Sequence, residues 1–408
     1  QYIDLFTQQE QVLCSHAPEI MNMLRSKALE HFKQSGFPSL KNEDYRYTDV
    51  SKAFAHDYGL NLKRLTVPVN PDDAFRCDVP NLSTSLYFVV NDAFYSHALP
   101  KVSLPEGVYV GDMKGFAARY PQLAVSYYGK AALTEKDAVA ALNTLLVQDG
   151  FVVYVPENVR LERPIQLVNI FRSDVDLMAN RRVLVILEPH AEAKLLVCDH
   201  SVDNVKFLGT EVVEIFVGEG AYFDYYNLEE SSITTTRFSS LFVKHAARSN
   251  VLVNGITLNN GFTRNNYHIS LEGEYGESIL CGMAIQDRHQ QVDTYTHITH
   301  GVPNCTSTAL FKNVLDDQST GVFSGRILVE KDAQKTMAYQ SNNNLCISPT
   351  AHMYSKPQLE IYADDVKCSH GLTTGQLDEE ALFYLRSRGI GHEEARLMLM
   401  QAFAAGVL

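Results

Sequence analysis

The stretch NVLVNG at residues 250–255 decides the fold, because similar strand-like runs return along the chain at a nearly constant interval. Its counterparts begin at Ala193 (AKLLVC), Ala221 (AYFDYY), Glu277 (ESILCG), Thr306 (TSTALF) and Lys335 (KTMAYQ). Successive runs start 28, 29, 27, 29 and 29 residues apart. A repeat of this length is typical of solenoids, in which each coil buries its apolar face against neighbouring coils.

A second series of β-branched and aromatic runs keeps the same period. These runs are centred on Ile186, Ile215, Phe242, Ile269, Ile298 and Ile327. Two strands per coil, in step over six repeats, predict a flattened parallel β-helix. The alternative is a meandering antiparallel sandwich, which turns about every 8 to 12 residues and has no reason to keep both series in step.

Both ends of the chain have helical patterns instead. Near the N-terminus, apolar residues recur at three- to four-residue spacing from Ile20 until Gly36. Near the C-terminus, Asp378 can cap a helix that stops at Gly389, and a second helical run ends before Gly406. The last two runs predict a helical hairpin.

The predicted fold is therefore mainly β, with a right-handed parallel β-helix core between N-terminal and C-terminal helical domains. We expect an N-terminal helical domain at 1–75, the β-helix core at 76–372 and a C-terminal helical domain at 373–408. The first boundary follows from a stretch rich in Pro and Asp near residue 70.

Charge and composition exclude several classes of partner. The chain has 35 Lys and Arg against 48 Asp and Glu, and its net charge of −13 repels nucleic acid and anionic membrane surfaces. No apolar run reaches the roughly 18 residues that a membrane span needs, and the first residues lack the order of a signal peptide. We therefore expect a cytoplasmic protein. Its seven scattered cysteines form no C-x-x-C pair and are expected to be reduced thiols.

The sequence lacks the common enzyme signatures. No phosphate-binding loop, dinucleotide-binding turn or nucleophile elbow is present. A carbohydrate-active β-helix enzyme would need converging carboxylates, for which Glu229-Glu230 and Asp316-Asp317 are the candidates. Adjacent strand residues point to opposite faces, so neither doublet fits, and both are interpreted as solvated turns. We predict that the chain is not an enzyme.

One cysteine and one histidine form the best candidate for metal binding. His297 and His300 are three residues apart, which places them on opposite faces of a strand. Cys368 and His370 are two residues apart and share a face, where one iron or zinc ion could contact both. Iron in clusters usually has about four such ligands, so distant coils or another polypeptide would have to supply the rest. The competing interpretation is two structural side chains.

Three stretches near the C-terminus form a long and specific signature: EIYADDVKCSHG at 360–371, GQL at 375–377 and LFYLRSRGI at 382–390. They closely resemble the C-terminal signature of the SufD family. EDYRYT at 43–48 is similar to a short E-x-W/Y-R-Y-T element of the same family, with Tyr45 where tryptophan is common. The related SufB family usually carries an N-terminal cysteine cluster and lacks Cys-Ser-His-Gly, so the resemblance favours SufD.

The resemblance implies a scaffold that pairs with a SufB-like paralogue, binds a SufC-like ATPase and builds iron-sulfur clusters. His370 matches the histidine that this family uses for cluster formation at the subunit interface, and Cys368 lies beside it. The C-terminal helices would bind the ATPase through Leu382, Leu385, Leu399 and Phe403. The isolated chain would need no cofactor and could form a homodimer, while the resemblance permits a flavin in the complex. A purely structural adaptor without metal ligation is the remaining alternative.

Overall fold

Two long sheets form the body of the protein in a computed structural model, which describes residues 1–70 and 83–407. The strands of the described ranges are β1 (Gly59–Leu60), β2 (Ser85–Val90), β3 (Ala93–Phe94), β4 (Tyr109–Asp112), β5 (Phe151–Val155), β6 (Ile165–Phe171), β7 (Leu177–Leu187), β8 (Glu192–Ser201), β9 (Phe207–Val217), β10 (Tyr222–Glu230), β11 (Thr235–His245), β12 (Asn250–Asn259), β13 (Phe262–Leu271), β14 (Glu277–Gln286), β15 (Gln291–His300), β16 (Thr306–Leu315), β17 (Thr320–Val329), β18 (Met337–Cys346), β19 (His352–Ile361) and β20 (Lys367–Gly375).

Consecutive long strands alternate between the two sheets. Sheet A has the order β19-β17-β15-β13-β11-β9-β7-β5-β4, with β1 also paired to β7, and sheet B has the order β20-β18-β16-β14-β12-β10-β8-β6-β2-β3. Pairing is parallel except in the short pairs β2–β3 and β4–β5. The predicted parallel solenoid is confirmed, since one series of runs forms sheet A and the other forms sheet B.

The main core lies between the two sheets. Side chains alternate along each strand, so every second residue points inward, as Val213, Ile215 and Val217 of β9 do. A left-handed backbone residue recurs at one corner of successive coils, at His190, Gly220, Arg248, Tyr275, Asn304 and Lys335. The sequence period is thus visible as a repeated turn.

Helices occupy both ends of the chain and one insertion. Those of the described ranges are α1 (Tyr2–His16), α2 (Glu19–Asn22), α3 (Arg25–Ser35), α4 (Val50–Ala53), α5 (Met113–Arg119), α6 (Pro121–Tyr127), α7 (Ala138–Leu146), α8 (Glu379–Ser387) and α9 (His392–Ala404), with a short 3-10 turn at Glu43–Tyr45. Asp378 caps α8 as predicted, because its carboxylate accepts from the amides of Glu380 and Ala381. Within the described ranges, no helix is long and apolar enough to cross a bilayer.

The N-terminal helices cover the outer face of sheet A. Apolar side chains of α1, α3 and α7 pack in one cluster with Met178, Leu208 and Phe238 from that face. Helices α5 to α7 lie inside the range predicted for the β-helix core, so helical structure extends beyond the first predicted domain. The predicted boundary at residue 75 and Cys77 both lie outside the described residues.

Candidate metal site at the open end of the solenoid

Cys368 and His370 lie on β20, the edge strand of sheet B. Cys368 is in register with Ala338 of β18, and His370 is in register with Gln340. The Cys368 side chain packs against the core between the sheets, and alternation places His370 on the same inner face. The two predicted ligands therefore share a face, as expected from their spacing.

Their exposure differs because the solenoid ends at β20. Cys368 is half-buried, whereas His370 is exposed. Burial raises the pKa of the Cys368 thiol, although a hydrogen bond with the backbone of Ala338 acts in the opposite direction. The thiol is therefore protonated near neutral pH, and a metal ion that binds it must displace the proton.

The described part of the chain brings no third ligand to the pair. Among residues 1–70 and 83–407, no group of three or more His, Cys, Asp or Glu is arranged to hold a metal ion. The nearest histidine on either side in sequence is placed elsewhere: His352 stacks with Tyr354 on β19, and His392 bonds to Glu393 on α9. The rim of the solenoid thus offers an incomplete set of donors.

Both sheets stop at the same end of the molecule. Among the described strands, β19 is the edge of sheet A and β20 is the edge of sheet B, so each has backbone groups on one side that no described strand pairs with. Eight of the nine residues of β20 are exposed, in contrast to the mostly buried strands further inside. This end is a surface on which another strand could pair.

The four predicted ATPase-binding residues of the C-terminal hairpin are buried wholly or in part. Leu382 is buried, and Leu385, Leu399 and Phe403 are half-buried. The Phe403 carbonyl accepts from Lys312 Nζ at 2.6 Å, which ties the end of α9 to sheet B. The exposed apolar side chains of the hairpin are their neighbours Phe383, Tyr384, Leu397 and Met398, at 73%, 57%, 50% and 42% exposure. A helical-wheel projection that begins at the helix caps would have distinguished the buried and half-buried residues from the exposed apolar ones.

Two family descriptions match nearly the whole chain. Residues 170–403 match the SufBD core domain of the SUF system for FeS cluster assembly, and residues 1–167 match the SufBD protein N-terminal region. The chain belongs to the SufBD family. It is therefore a protein of iron-sulfur cluster assembly, in agreement with the resemblance found in its sequence.

Named relatives extend this SufBD assignment over most of the chain. The iron-sulfur cluster assembly protein SufD of Escherichia coli is 28% identical over 93% of this chain and 87% of its own length. SufD of Bacillus subtilis is 26% identical over 100% of this chain and 93% of its own length. A SufBD family protein of Synechocystis is 28% identical over 91% and 83%, respectively.

The histidines at 297 and 300 do lie on opposite faces of this SufBD solenoid. His300 is buried, and its Nε2 lies 2.8 Å from Ser307 Oγ. His297 faces outward beside His268, with ring centroids 6.2 Å apart. Burial lowers the pKa of both imidazoles, that of His300 to about 4. Both are therefore neutral, and the two do not converge on a site.

The carboxylate doublets need one correction. Asp316-Asp317 lies in the turn between β16 and β17, as expected, but Glu229 is fully buried inside the solenoid. Its carboxylate accepts from Thr263 at 2.9 Å, while Glu230 points to the other face. The prediction of a solvated turn was wrong for Glu229 because the alternation of β10 continues through it.

Proposed function

We propose that this chain is a non-catalytic scaffold subunit of a SUF complex and that its open solenoid end pairs with a SufB-like paralogue. One observation supports this most strongly: Cys368 and His370 share the inner face of an exposed edge strand and lack further ligands on the described chain. A pairing subunit would cover the unpaired strand and add donors at the same time.

The nascent cluster is the cargo of this site. Thiolate is the ligating form of Cys368, and burial raises the pKa of its thiol, so protons compete with iron for the sulfur and binding weakens as the pH falls. An incomplete ligand set on one chain also favours transfer, because separation of the subunits would leave too few ligands to hold the cluster.

The C-terminal hairpin is the proposed docking surface for a SufC-like ATPase. In this proposal Leu382, Leu385, Leu399 and Phe403 hold the hairpin together, and the exposed side chains of Phe383, Tyr384, Leu397 and Met398 contact the ATPase. Aromatic and Met side chains of this kind are enriched in interface cores. Glu379 and Glu380 border this surface, so we expect basic residues on the partner.

The end of the hairpin gives the ATPase a mechanical connection to the solenoid. Ala404 and Val407 pack with Met283 of sheet B, and Asn254 Nδ2 donates to the Val407 carbonyl at 3.0 Å. Motion of a docked ATPase would therefore act on sheet B, whose last strand carries the candidate ligands. We place this complex in the cytoplasm, and the free thiols of the described cysteines support a reducing compartment.

Copurification followed by anaerobic loading tests the proposal. The chain is coexpressed with a SufB-like protein and a SufC-like ATPase, and iron and sulfide are added to the complex and to the chain alone. We expect a stable complex, visible-range cluster absorbance in the complex and little absorbance in the isolated chain. Full cluster formation by the chain alone, or turnover of a polysaccharide by it, would contradict the proposal.

A further inference from the structure

Residues Glu43–Thr48 lie across the outer face of sheet A, where they contact strand residues more than 200 positions later in the sequence. The Tyr45 ring packs against the guanidinium of Arg264 on β13, and the distance from Arg264 Cζ to the centroid of the Tyr45 ring is 4.4 Å. The Thr48 hydroxyl donates to Asp293 on β15, and Gln291 Nε2 of the same strand donates to the Tyr47 carbonyl at 2.9 Å. These contacts join the N-terminal domain to two inner strands.

The same segment continues to the edge of the sheet. The Tyr47 ring stacks on Tyr354 of β19, with centroids 4.0 Å apart and an interplanar angle of 14°. Glu43 forms an ion pair with Lys356, two residues further along β19. From β13 to β19 the segment crosses three strand spacings, or about 14 Å.

The two halves of the segment differ in burial. Arg264 and Asp293, on which Tyr45 and Thr48 rest, are each 1% exposed and pair at 2.6 Å. Tyr47 is 41% exposed. The inner half is therefore a fixed anchor, and the outer half is an arm that reaches the edge strand.

Strand β19 lies at the edge of sheet A. Among the strands that the structure describes, it forms ladder hydrogen bonds with β17 alone. Edge strands open more readily than central ones, since fewer bonds must break. On the inner side, Met353 and Leu359 of β19 pack in the same core as Cys368, so disorder of β19 would reach the rim of sheet B.

We propose that Glu43–Thr48 is a clasp through which the N-terminal helical domain holds β19 in place at the open end of the solenoid. Tyr47 is its main positioning residue, because the exposed Glu43–Lys356 pair contributes little in water. Through the clasp, the conformational order of the edge strand β19 depends on the N-terminal helical domain. This inference concerns the order of β19 and holds whether or not Cys368 and His370 bind iron.

Hydrogen exchange on the full chain tests the clasp. Tyr47→Ala removes the ring that stacks on Tyr354, and we expect amide exchange in residues 352–361 to become about two- to tenfold faster. Tyr47→Phe keeps the ring and should restore the exchange of the unchanged protein. Tyr339→Ala is the matched control, because Tyr339 is equally exposed at 41% but lies on the outer face of sheet B.

The pattern of exchange distinguishes a local clasp from general destabilisation. Amides of β9 and β11 should exchange at the same rate in all variants, because the contacts of Tyr47 described above are with β15 and β19. The proposal is overturned by unchanged exchange of β19 in Tyr47→Ala. It is also overturned by an increase spread evenly over sheet A, or by an equal effect of Tyr339→Ala on β19.

Discussion

Arg237 is the central cation of a charge cluster inside the solenoid, and we expect Arg237→Leu to destabilise the protein strongly. Its guanidinium lies 3.5 Å from Asp199, 3.8 Å from Glu211 and 3.6 Å from Glu229. All four side chains are at most 3% exposed. Burial lowers the pKa of Arg237, but the three carboxylates outweigh it and the net pKa is raised.

The magnitude follows from the charges left behind. At an effective dielectric constant of about 20, each of these contacts is worth roughly 4 to 5 kcal/mol before desolvation is counted. Much of this is offset by the cost of burial, and part is recovered in the variant because the carboxylates take up protons. Breaking a buried ion pair typically costs about 3 to 5 kcal/mol, and we expect a loss in that range.

Urea unfolding followed by circular dichroism measures the loss, and Arg248→Leu provides the control. Arg248 pairs with Glu219 at 2.8 Å, but the two side chains are 64% and 52% exposed, so this variant should lose less than about 1 kcal/mol. The loss in free energy of unfolding caused by Arg237→Leu should be smaller at lower pH, where the carboxylates that have lost their cation are protonated and neutral. Equal stability of the two variants at neutral pH would refute the reasoning.

Three further predictions follow from the same structure. Burial raises the pKa of Glu229 from 4.5 to about 7, so the folded protein loses stability as the pH rises through this range. The loss should reach up to about 3 kcal/mol at pH about 8, and Glu229→Gln should remove it. Urea unfolding at several pH values measures the difference. Leu382 is buried, so Leu382→Ala should destabilise the hairpin by about 2 kcal/mol or more in thermal melts. Phe383 is exposed, so Phe383→Ala should leave the melt unchanged and weaken ATPase capture. The reverse pattern would contradict the assignment of Leu382 to packing and Phe383 to ATPase binding. Because burial raises the pKa of Cys368, its alkylation by iodoacetamide should still accelerate above pH about 9, and a plateau near neutral pH would contradict this.

The solenoid was predictable because its signal is local and repeated. The run centred on Ile215 forms a strand of sheet A, and the run that begins at Ala221 forms a strand of sheet B. Both runs were visible in the sequence because each coil buries the same positions against the next. The hairpin at the C-terminus was equally clear, because Asp378 and Gly389 mark the ends of α8.

Long-range contacts had no comparable signal. Thr48 bonds to Asp293 across 245 residues, and no local pattern indicates that the Glu43–Thr48 segment crosses sheet A. Glu229 was recoverable in principle, because Phe223, Tyr225 and Glu229 alternate inward on β10. An acidic doublet by itself favours a solvated turn, which is why the sequence-based prediction was wrong for Glu229. The orientation of the C-terminal hairpin depended on packing against Lys312, which the sequence does not show.

Cluster formation by variants of the assembled complex tests most directly whether Cys368 and His370 supply ligands at the open end of the solenoid. His370→Ala and Cys368→Ser are each purified with both partners and loaded anaerobically, with His352→Ala as a control for loss of an exposed histidine on β19. We predict intact complexes and clearly lower cluster absorbance for the first two variants, with an unchanged yield for His352→Ala. An unchanged yield for both ligand variants in intact complexes would contradict the claim that this chain supplies donors at the rim.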